Sequence, residues 1–255
     1  MQKKFKNILI TGASSGIGEA VALYLAAHGA ENLFLSGRNE QRLNDVAARC
    51  KAAGAAVYPQ VISVCDKESM ARWIKDCNQA AALDLVYANA GVSTGEETPE
   101  NVYNTFNTNV FGVLNTITPA AEIFAARADK TAPKTIAITA SIAGYHGLPS
   151  CPSYSATKAC VKAYGEALRG SLKPANIDVN VICPGFVKSR ITDKNTCPMP
   201  FFMSAEKAAE IIVTRLEKNV GLIAFPWPMR LATWFLSILP NRLTDWIYAA
   251  LPHKV

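Results

Sequence analysis

Short apolar stretches rich in β-branched residues alternate along the chain with longer amphipathic stretches, and glycine, proline or a polar cap separates many of them. Repeated strand–helix pairs of this kind predict parallel strands joined by helices that cover both faces of one sheet. We therefore expect an α/β, doubly wound fold with a seven-stranded parallel sheet. The predicted strands are Asn7–Thr11, Asn32–Ser36, Ala56–Ile62, Leu83–Ala88, Thr135–Thr139, Asp178–Ile182 and Val220–Phe225, and the predicted helices are Gly16–Ala27, Glu40–Ala53, Lys67–Gln79, Pro99–Ala128, Pro152–Lys173 and Ala205–Lys218.

The alternation ends at Phe225, so we assign residues 1–225 to one domain and residues 226–255 to an apolar helical tail of the same domain. Two short helical patterns, Met229–Leu239 and Asn241–Leu251, flank Pro240. Arginines stand among their tryptophans. This composition fits a cap over an apolar pocket, a subunit contact, or an amphipathic pair lying in a membrane interface. The sequence leaves all three open.

Composition narrows the classes of function. The chain has 255 residues, of which 50% are hydrophobic and 18% are charged, enough to bury a large core. Its net charge of +6 is dispersed, and no recognition motif predicts nucleic-acid binding. Seven cysteines without a C-x-x-C pair indicate neither disulfides nor a metal site. With no apolar run of about 20 residues, we expect a cytoplasmic protein, with membrane association through the tail as an open alternative.

A glycine-rich turn follows the first strand and opens the first helix. In the segment Thr11–Gly18, Gly12 permits a sharp turn, Gly16 permits close approach of a pyrophosphate, and Gly18 permits close packing of helix on strand. Amide groups at the start of the helix then bind phosphate. This context predicts a dinucleotide site.

The end of the second strand indicates which dinucleotide binds. An acidic side chain there would hold the ribose 2′-hydroxyl of NAD. No acid occurs at residues 36–39, and Arg38 instead offers a guanidinium that can pair with a 2′-phosphate. We therefore expect NADP(H) rather than NAD.

Tyr154 and Lys158 stand four positions apart, on one face of a predicted helix. A phenol has an ordinary pKa of about 10, and a nearby ammonium favours its ionised form and lowers that pKa. The spacing alone also fits an ordinary solvated helix face. Together with a hydride-carrying cofactor, it predicts a tyrosine that transfers protons.

The glycine-rich turn, the Tyr154–Lys158 pair and several further motifs occur along the chain in an order that is typical of one enzyme superfamily. Thr11–Gly18, Asn89-Ala90-Gly91, Asn109, Ser141, Tyr154–Lys158 and Pro184-Gly185 resemble the short-chain dehydrogenase/reductase superfamily in its compact, single-domain form. The resemblance extends from Asn7 to about Phe225. It implies that residues 1–225 form a Rossmann-fold catalytic domain.

The resemblance also implies roles for individual residues. Tyr154 would be the general acid for carbonyl reduction, Lys158 would tune it and hold the nicotinamide ribose, and Ser141 would orient the substrate carbonyl together with Tyr154. Asn109 would anchor a water in a proton relay. The implied cofactor contacts are Gly12, Ser14, Ser15, Gly16, Ile17, Gly18, Arg38, Asn39, Val64, Asn89, Ala90, Gly91, Tyr154, Lys158, Pro184, Gly185 and Val187.

Two positions depart from the family pattern. Ser63 stands where an acidic residue usually contacts the adenine, with Asp66 three residues later. We expect the Val64 backbone to make the adenine contact, and the role of the Asp66 side chain stays open. Ala88 replaces a common second asparagine before Asn89.

The predicted function is an NADP(H)-dependent oxidoreductase that interconverts a carbonyl and a secondary alcohol, with a hydrophobic or lipid-like substrate. Two alternatives stay open, an epimerase or dehydratase and a non-catalytic NADP-binding sensor. The long helices Pro99–Ala128 and Pro152–Lys173 resemble those of family dimer faces, so we expect a homodimer or homotetramer.

Overall fold

The computed structural model describes residues 4–129, 132–194 and 198–249. Seven strands form one sheet in the order β3-β2-β1-β4-β5-β6-β7, and every neighbouring pair is parallel. The predicted sheet is therefore confirmed. The strands are β1 (Asn7–Thr11), β2 (Asn32–Gly37), β3 (Ala56–Val61), β4 (Leu85–Ala88), β5 (Thr135–Thr139), β6 (Asp178–Pro184) and β7 (Leu222–Phe225).

Helices cover both faces of the sheet, and so the central strands are apolar throughout rather than alternating. Successive residues Ile8, Leu9 and Ile10 of β1 are all fully buried although they point to opposite faces. The helices within residues 1–225 are α1 (Gly16–Ala27), α2 (Glu40–Ala52), α3 (Lys67–Ala80), α4 (Pro99–Phe106), α5 (Gly112–Ala126), α6 (Pro152–Ser171) and α7 (Ala205–Glu217).

Side-chain caps set several helix starts. The Thr98 hydroxyl accepts from the Asn101 amide at the start of α4, and the Ser204 hydroxyl accepts from the Lys207 amide at the start of α7. Asp66 caps α3 by accepting from the Ser69 amide at 3.0 Å. The Asp66 side chain therefore has a structural role at the start of α3.

The prediction of one uninterrupted helix over Pro99–Ala128 is wrong in detail. A π-helical turn, Asn107–Phe111, separates α4 from α5. Two close contacts occur at this wider turn. The buried Asn109 side chain forms hydrogen bonds to Val92 and Thr157. Gly112 packs against Val64 so closely that a Cβ on Gly112 would lie 2.5 Å from Val64 Cγ2. Such π turns are frequent at functional sites.

The sheet divides the core in two. Helices α1, α2 and α7 pack on one face, and α3, α5 and α6 pack on the other. The chain runs from β1 outward to β2 and β3 and then crosses back to β4 on the other side of β1, so the direction of the strand order reverses at β1. In doubly wound folds ligands bind beside such a switch point, at the carboxyl ends of the strands.

The tail contains two helices, α8 (Trp227–Ile238) and α9 (Asn241–Ala249). The second was predicted to reach Leu251, and residues 250–255 lie outside the described part of the chain. Within the described residues, no helix is both long and apolar enough to cross a membrane.

Candidate active site

A cleft of about 450 Å³ opens at the carboxyl ends of β1, β2, β4, β5 and β6. It brings together every predicted cofactor and catalytic residue except Gly18 and Asn109, which lie behind its wall. The predicted residues that line it are Gly12, Ser14, Ser15, Gly16, Ile17, Arg38, Asn39, Val64, Asn89, Ala90, Gly91, Ser141, Tyr154, Lys158, Pro184, Gly185 and Val187.

The glycine-rich turn has the tight geometry that its sequence requires. Gly12 has φ +67°, and a Cβ there would lie 2.7 Å from the Ala90 Cα. Gly16 has φ +60°. A Cβ on Gly18 would lie 2.4 Å from the Gly12 carbonyl oxygen. Gly18 therefore acts in packing α1 against the turn, whereas Gly12 and Gly16 keep the mouth of the cleft free of side chains.

Asn89 joins the ends of three strands beneath the cleft. Its Nδ2 donates to the carbonyl oxygens of Thr11 and Gly12, each at 3.2 Å. The Thr139 hydroxyl at the end of β5 lies 3.3 Å from Asn89 Oδ1 and 2.8 Å from the Tyr87 hydroxyl, within hydrogen-bonding distance of both. This network fixes the turn after β1 relative to the strand that precedes Ser141.

The cleft is electropositive. Arg38, Arg42, Arg190 and Lys158 line it, and no carboxylate does so among the described residues. Near the end of β2 the Ser36 hydroxyl and the Arg42 Nε are buried without a hydrogen-bond partner in the described chain. Buried polar groups usually need partners, so this end of the cleft suits a polar, anionic ligand.

Ser141, Tyr154 and Lys158 converge at the other end. Ser141 follows β5 in an extended conformation, and its hydroxyl accepts from the Ala143 amide at 3.1 Å. Tyr154 lies in the first turn of α6, partly exposed to the cleft. Lys158, one turn later, is buried, and its Nζ donates to the Thr139 carbonyl oxygen at 2.9 Å. Gly91 leaves room for this ammonium, because a Cβ there would lie 3.3 Å from Lys158 Nζ.

The expected lowering of the Tyr154 pKa is not what this arrangement produces. Burial raises the pKa of Tyr154 to about 12, and hydrogen bonding to the Ser141 hydroxyl offsets only part of that increase. Burial also lowers the pKa of Lys158 to about 8. The Lys158 ammonium lies 5.7 Å from the Tyr154 ring centroid and bonds to the backbone instead of the phenol.

Asn109 contacts the site from behind. Its Oδ1 accepts from the Val92 amide at 2.8 Å, and its Nδ2 donates to the Val92 carbonyl at 2.9 Å and to the Thr157 hydroxyl at 3.1 Å. A Cβ on Gly91 would lie 3.2 Å from Asn109 Oδ1. Asn109 therefore holds the loop after β4 against α6, beside Lys158.

The predicted cofactor contacts omit several residues that line the cleft, including Arg42, Ser189 and Thr192. Arg42 could have been found from the sequence, since it stands three positions after the predicted cofactor contact Asn39, in the first turn of α2. Its amide donates to the Asn39 side chain at 2.9 Å. Ser189 lies near the glycine turn, with its Cβ 3.0 Å from the position of a Cβ on Gly16. Only the fold brings those two segments together.

Comparison with known proteins identifies the family. A family model described as short chain dehydrogenase matches residues 6–198. An uncharacterized oxidoreductase of Myxococcus xanthus (strain DK1622) is 33% identical over 249 residues, which cover 96% of each chain. A crystal structure of a short-chain type dehydrogenase/reductase from Mycobacterium marinum has a TM-score of 0.77 at 25% identity and covers 86% of this chain and 93% of its own.

A further crystal structure, of a short chain dehydrogenase from Mycobacterium paratuberculosis bound to NAD, has a TM-score of 0.77 at 23% identity. It covers 89% of this chain and 99% of its own, and at that identity it supports the fold alone. The matched span of the family model contains the glycine turn, Asn89, Ser141, Tyr154 and Lys158. The chain therefore belongs to the short chain dehydrogenase family of oxidoreductases.

Proposed function

We propose that the protein is an NADP(H)-dependent oxidoreductase that interconverts a carbonyl compound and a secondary alcohol, with Tyr154 as proton donor and acceptor. One observation carries the proposal: Ser141, Tyr154 and Lys158 line the same cleft as the glycine-rich turn. The residues proposed to transfer the proton and those proposed to bind the dinucleotide therefore line a single cleft.

The lining of the cleft fits a phosphorylated dinucleotide. Gly12 and Gly16 leave backbone exposed where a pyrophosphate needs close approach. Arg38 follows the end of β2, where NAD-specific sites use an acid, and Arg42 lies in the first turn of α2. Each offers a planar group for phosphate. When bound, the nicotinamide supplies or accepts the hydride.

The chain's own residues handle the proton. With a pKa near 12, Tyr154 holds its proton at neutral pH and suits the role of acid in carbonyl reduction. Ser141 and Tyr154 line the same cleft, so their two hydroxyls can together hold a carbonyl oxygen and stabilise its developing charge. Lys158 contributes a buried positive charge beside them.

Apolar side chains near Gly185 favour a hydrophobic substrate. A Cβ on Gly185 would meet Pro226 at 3.0 Å, Met229 at 3.1 Å and Ile142 at 3.2 Å. Two of these come from the start of the tail, which therefore packs against Gly185, a residue that lines the cleft. Apolar surroundings next to a pocket favour apolar ligands.

Turnover of NADPH with a panel of ketones, followed by NADPH absorbance, tests the proposal. Replacing Tyr154 by Phe should lower kcat about 10²- to 10⁴-fold, the usual contribution of a positioned acid, while NADPH binding persists. Tyr164→Phe, an exposed phenol on the same helix, is the matched control. Full activity in Tyr154→Phe would overturn the mechanism.

The main competing function is a non-catalytic NADP-binding sensor. An oxidoreductase and a sensor would both bind NADPH, so a binding measurement does not distinguish the two functions. A wild-type protein that binds NADPH but turns over none of the ketones, in either direction, would favour the sensor. An epimerase or dehydratase would instead convert its substrate without net NADPH oxidation.

We also propose a cytoplasmic homodimer or homotetramer that uses the faces of α4, α5 and α6. α4 and the π turn pack against α6, and this region exposes Tyr103, Phe111 and Tyr164. Tyr103 is 72% exposed, and a group of exposed rings, rather than a single one, can mark a subunit contact. Light scattering during gel filtration gives the mass, and Tyr103→Glu should shift it toward the monomer if this face is used.

A further inference from the structure

We propose that α8 and α9 form a docking surface for an anionic lipid bilayer, separate from the hydride-transfer site. We call this surface the tail face. Its large apolar side chains are each half or more exposed. They are Trp227, Leu231, Trp234, Phe235, Ile238, Leu243 and Trp246.

Helix α8 is apolar on two opposite sides. Met229 and Leu236 are partly buried and point toward the body of the protein. At 100° per residue, Trp227, Leu231, Trp234 and Ile238 fall on one stripe facing the other way. This stripe faces away from the protein, so no packing within the described chain explains it.

Helix α9 continues the exposed apolar surface. Thr244 is buried and Ile247 is partly buried, which turns this side toward the protein. Leu243 and Trp246, three positions apart, are exposed, and Trp246 is 73% exposed. Two successive helices thus leave uncovered side chains of the same chemical kind.

The chemistry of the tail face fits a membrane interface. Three of the four tryptophans of the chain lie on it, and indole rings favour the boundary where one end is apolar and the N–H can reach water or a headgroup. Arg230 and Arg242 are exposed among them, and Asp245 is the only acid in residues 226–249. Long cationic side chains beside buried rings can reach lipid phosphates.

Length indicates a helix lying in the interface rather than crossing it. The 12 residues of α8 span roughly 18 Å at 1.5 Å per residue, and a bilayer core is about 30 Å thick. An amphipathic helix of this size buries its apolar side at the headgroup boundary. The surface already proposed for a second copy, on α4, α5 and α6, involves a different set of helices and does not require the tail face.

Flotation of the purified full-length protein with vesicles tests the proposal without any substrate. We expect binding to vesicles of phosphatidylcholine mixed with phosphatidylglycerol, weaker binding to phosphatidylcholine alone, and a decrease as salt is added. Lipids carrying a quencher near the headgroup should quench tryptophan fluorescence more than lipids quenched at the bilayer centre.

Variants locate the contact. Trp234→Glu, on the exposed stripe of α8, should reduce the vesicle partition coefficient about tenfold or more. Tyr58→Glu places the same charge on an exposed ring of β3, away from the tail face and from the proposed subunit contact, and should leave it unchanged. Arg242→Gln should reduce the preference for anionic vesicles, whereas Arg72→Gln on α3 should not. Circular dichroism and NADPH binding check that each variant is folded.

Three results would overturn the proposal. The wild-type protein could stay unbound with both kinds of vesicle. Trp234→Glu could bind as well as the wild type and Tyr58→Glu. The tail variants could instead convert an oligomer to a monomer in light scattering without changing vesicle binding, which would assign the tail face to a second copy of the chain.

Discussion

The Asn109 side-chain amide donates to the Thr157 hydroxyl at 3.1 Å, joining the π turn between α4 and α5 to the residue that precedes Lys158. The same amide group makes two bonds to the Val92 backbone. One buried side chain thus fixes three segments that meet behind the site. Its position explains why a bulge in a long helix is retained here.

Replacing Asn109 by Leu should destabilise the fold by about 1–3 kcal/mol, because it leaves the Val92 amide without its partner in a partly buried place. Urea unfolding measures the change. Thr157→Val removes one of the three bonds and should cost less. Equal stability of Asn109→Leu and the wild type would contradict the structural role.

Replacing Ser141 by Ala should lower kcat for ketone reduction about 10²- to 10³-fold, the effect typical of losing one donor to a developing oxyanion. NADPH affinity should change little, because Ser141 acts on the substrate. Steady-state and binding measurements separate the two. Ser150→Ala, an exposed serine of the following loop, should behave as the wild type.

Replacing Arg38 by Asp should move the cofactor preference from NADPH toward NADH. Hydrogen bonds to a charged group contribute about 1.5–3 kcal/mol, so the ratio of kcat/KM values should change about 10- to 150-fold. Arg72→Asp makes the same change of charge away from the cleft. A wild-type enzyme that prefers NADH would refute the assignment of Arg38 at the outset.

NADPH affinity of the free enzyme should decrease as pH rises through about 8. Burial lowers the pKa of Lys158 from 10.5 to about 8, so its positive charge is present below that pH and is lost above it. Fluorescence titration of NADPH across pH 7 to 9.5 measures the midpoint. Lys158→Met should lack this decrease, and Lys162→Met, which removes a lysine paired with Glu166, should retain it.

Replacing Gly18 by Ala should cost about 1–3 kcal/mol, as overpacking does, because the added Cβ would lie 2.4 Å from the Gly12 carbonyl oxygen. Gly170→Ala provides the contrast. Gly170 lies in α6 with nothing within 4 Å of an added Cβ, so alanine there should stabilise the protein by roughly 0.5–1 kcal/mol. Thermal unfolding measures the change in stability of both variants. If both variants were more stable than the wild type, or both less stable, the packing explanation would be contradicted.

The order of the elements and the motifs were predictable from the sequence alone. Hydrophobic periodicity is a local signal, and apart from the π turn within Pro99–Ala128 it predicted the strands and helices to within a few residues. The glycine turn is local as well, because the conformations of Gly12 and Gly16 depend on their own missing side chains.

Side-chain pKa values, the π turn and the outward side of α8 could not be predicted, because they depend on burial and on contacts between distant segments. The spacing of Tyr154 and Lys158 predicts proximity, but their pKa values are set by how far each is buried, and that reversed the expected shift of the phenol. The π turn at Asn109 follows from its bonds to Val92 and Thr157, which are 17 and 48 residues away. Likewise, only packing shows that α8 turns one apolar side to the protein and the other outward, because both sides are apolar in the sequence.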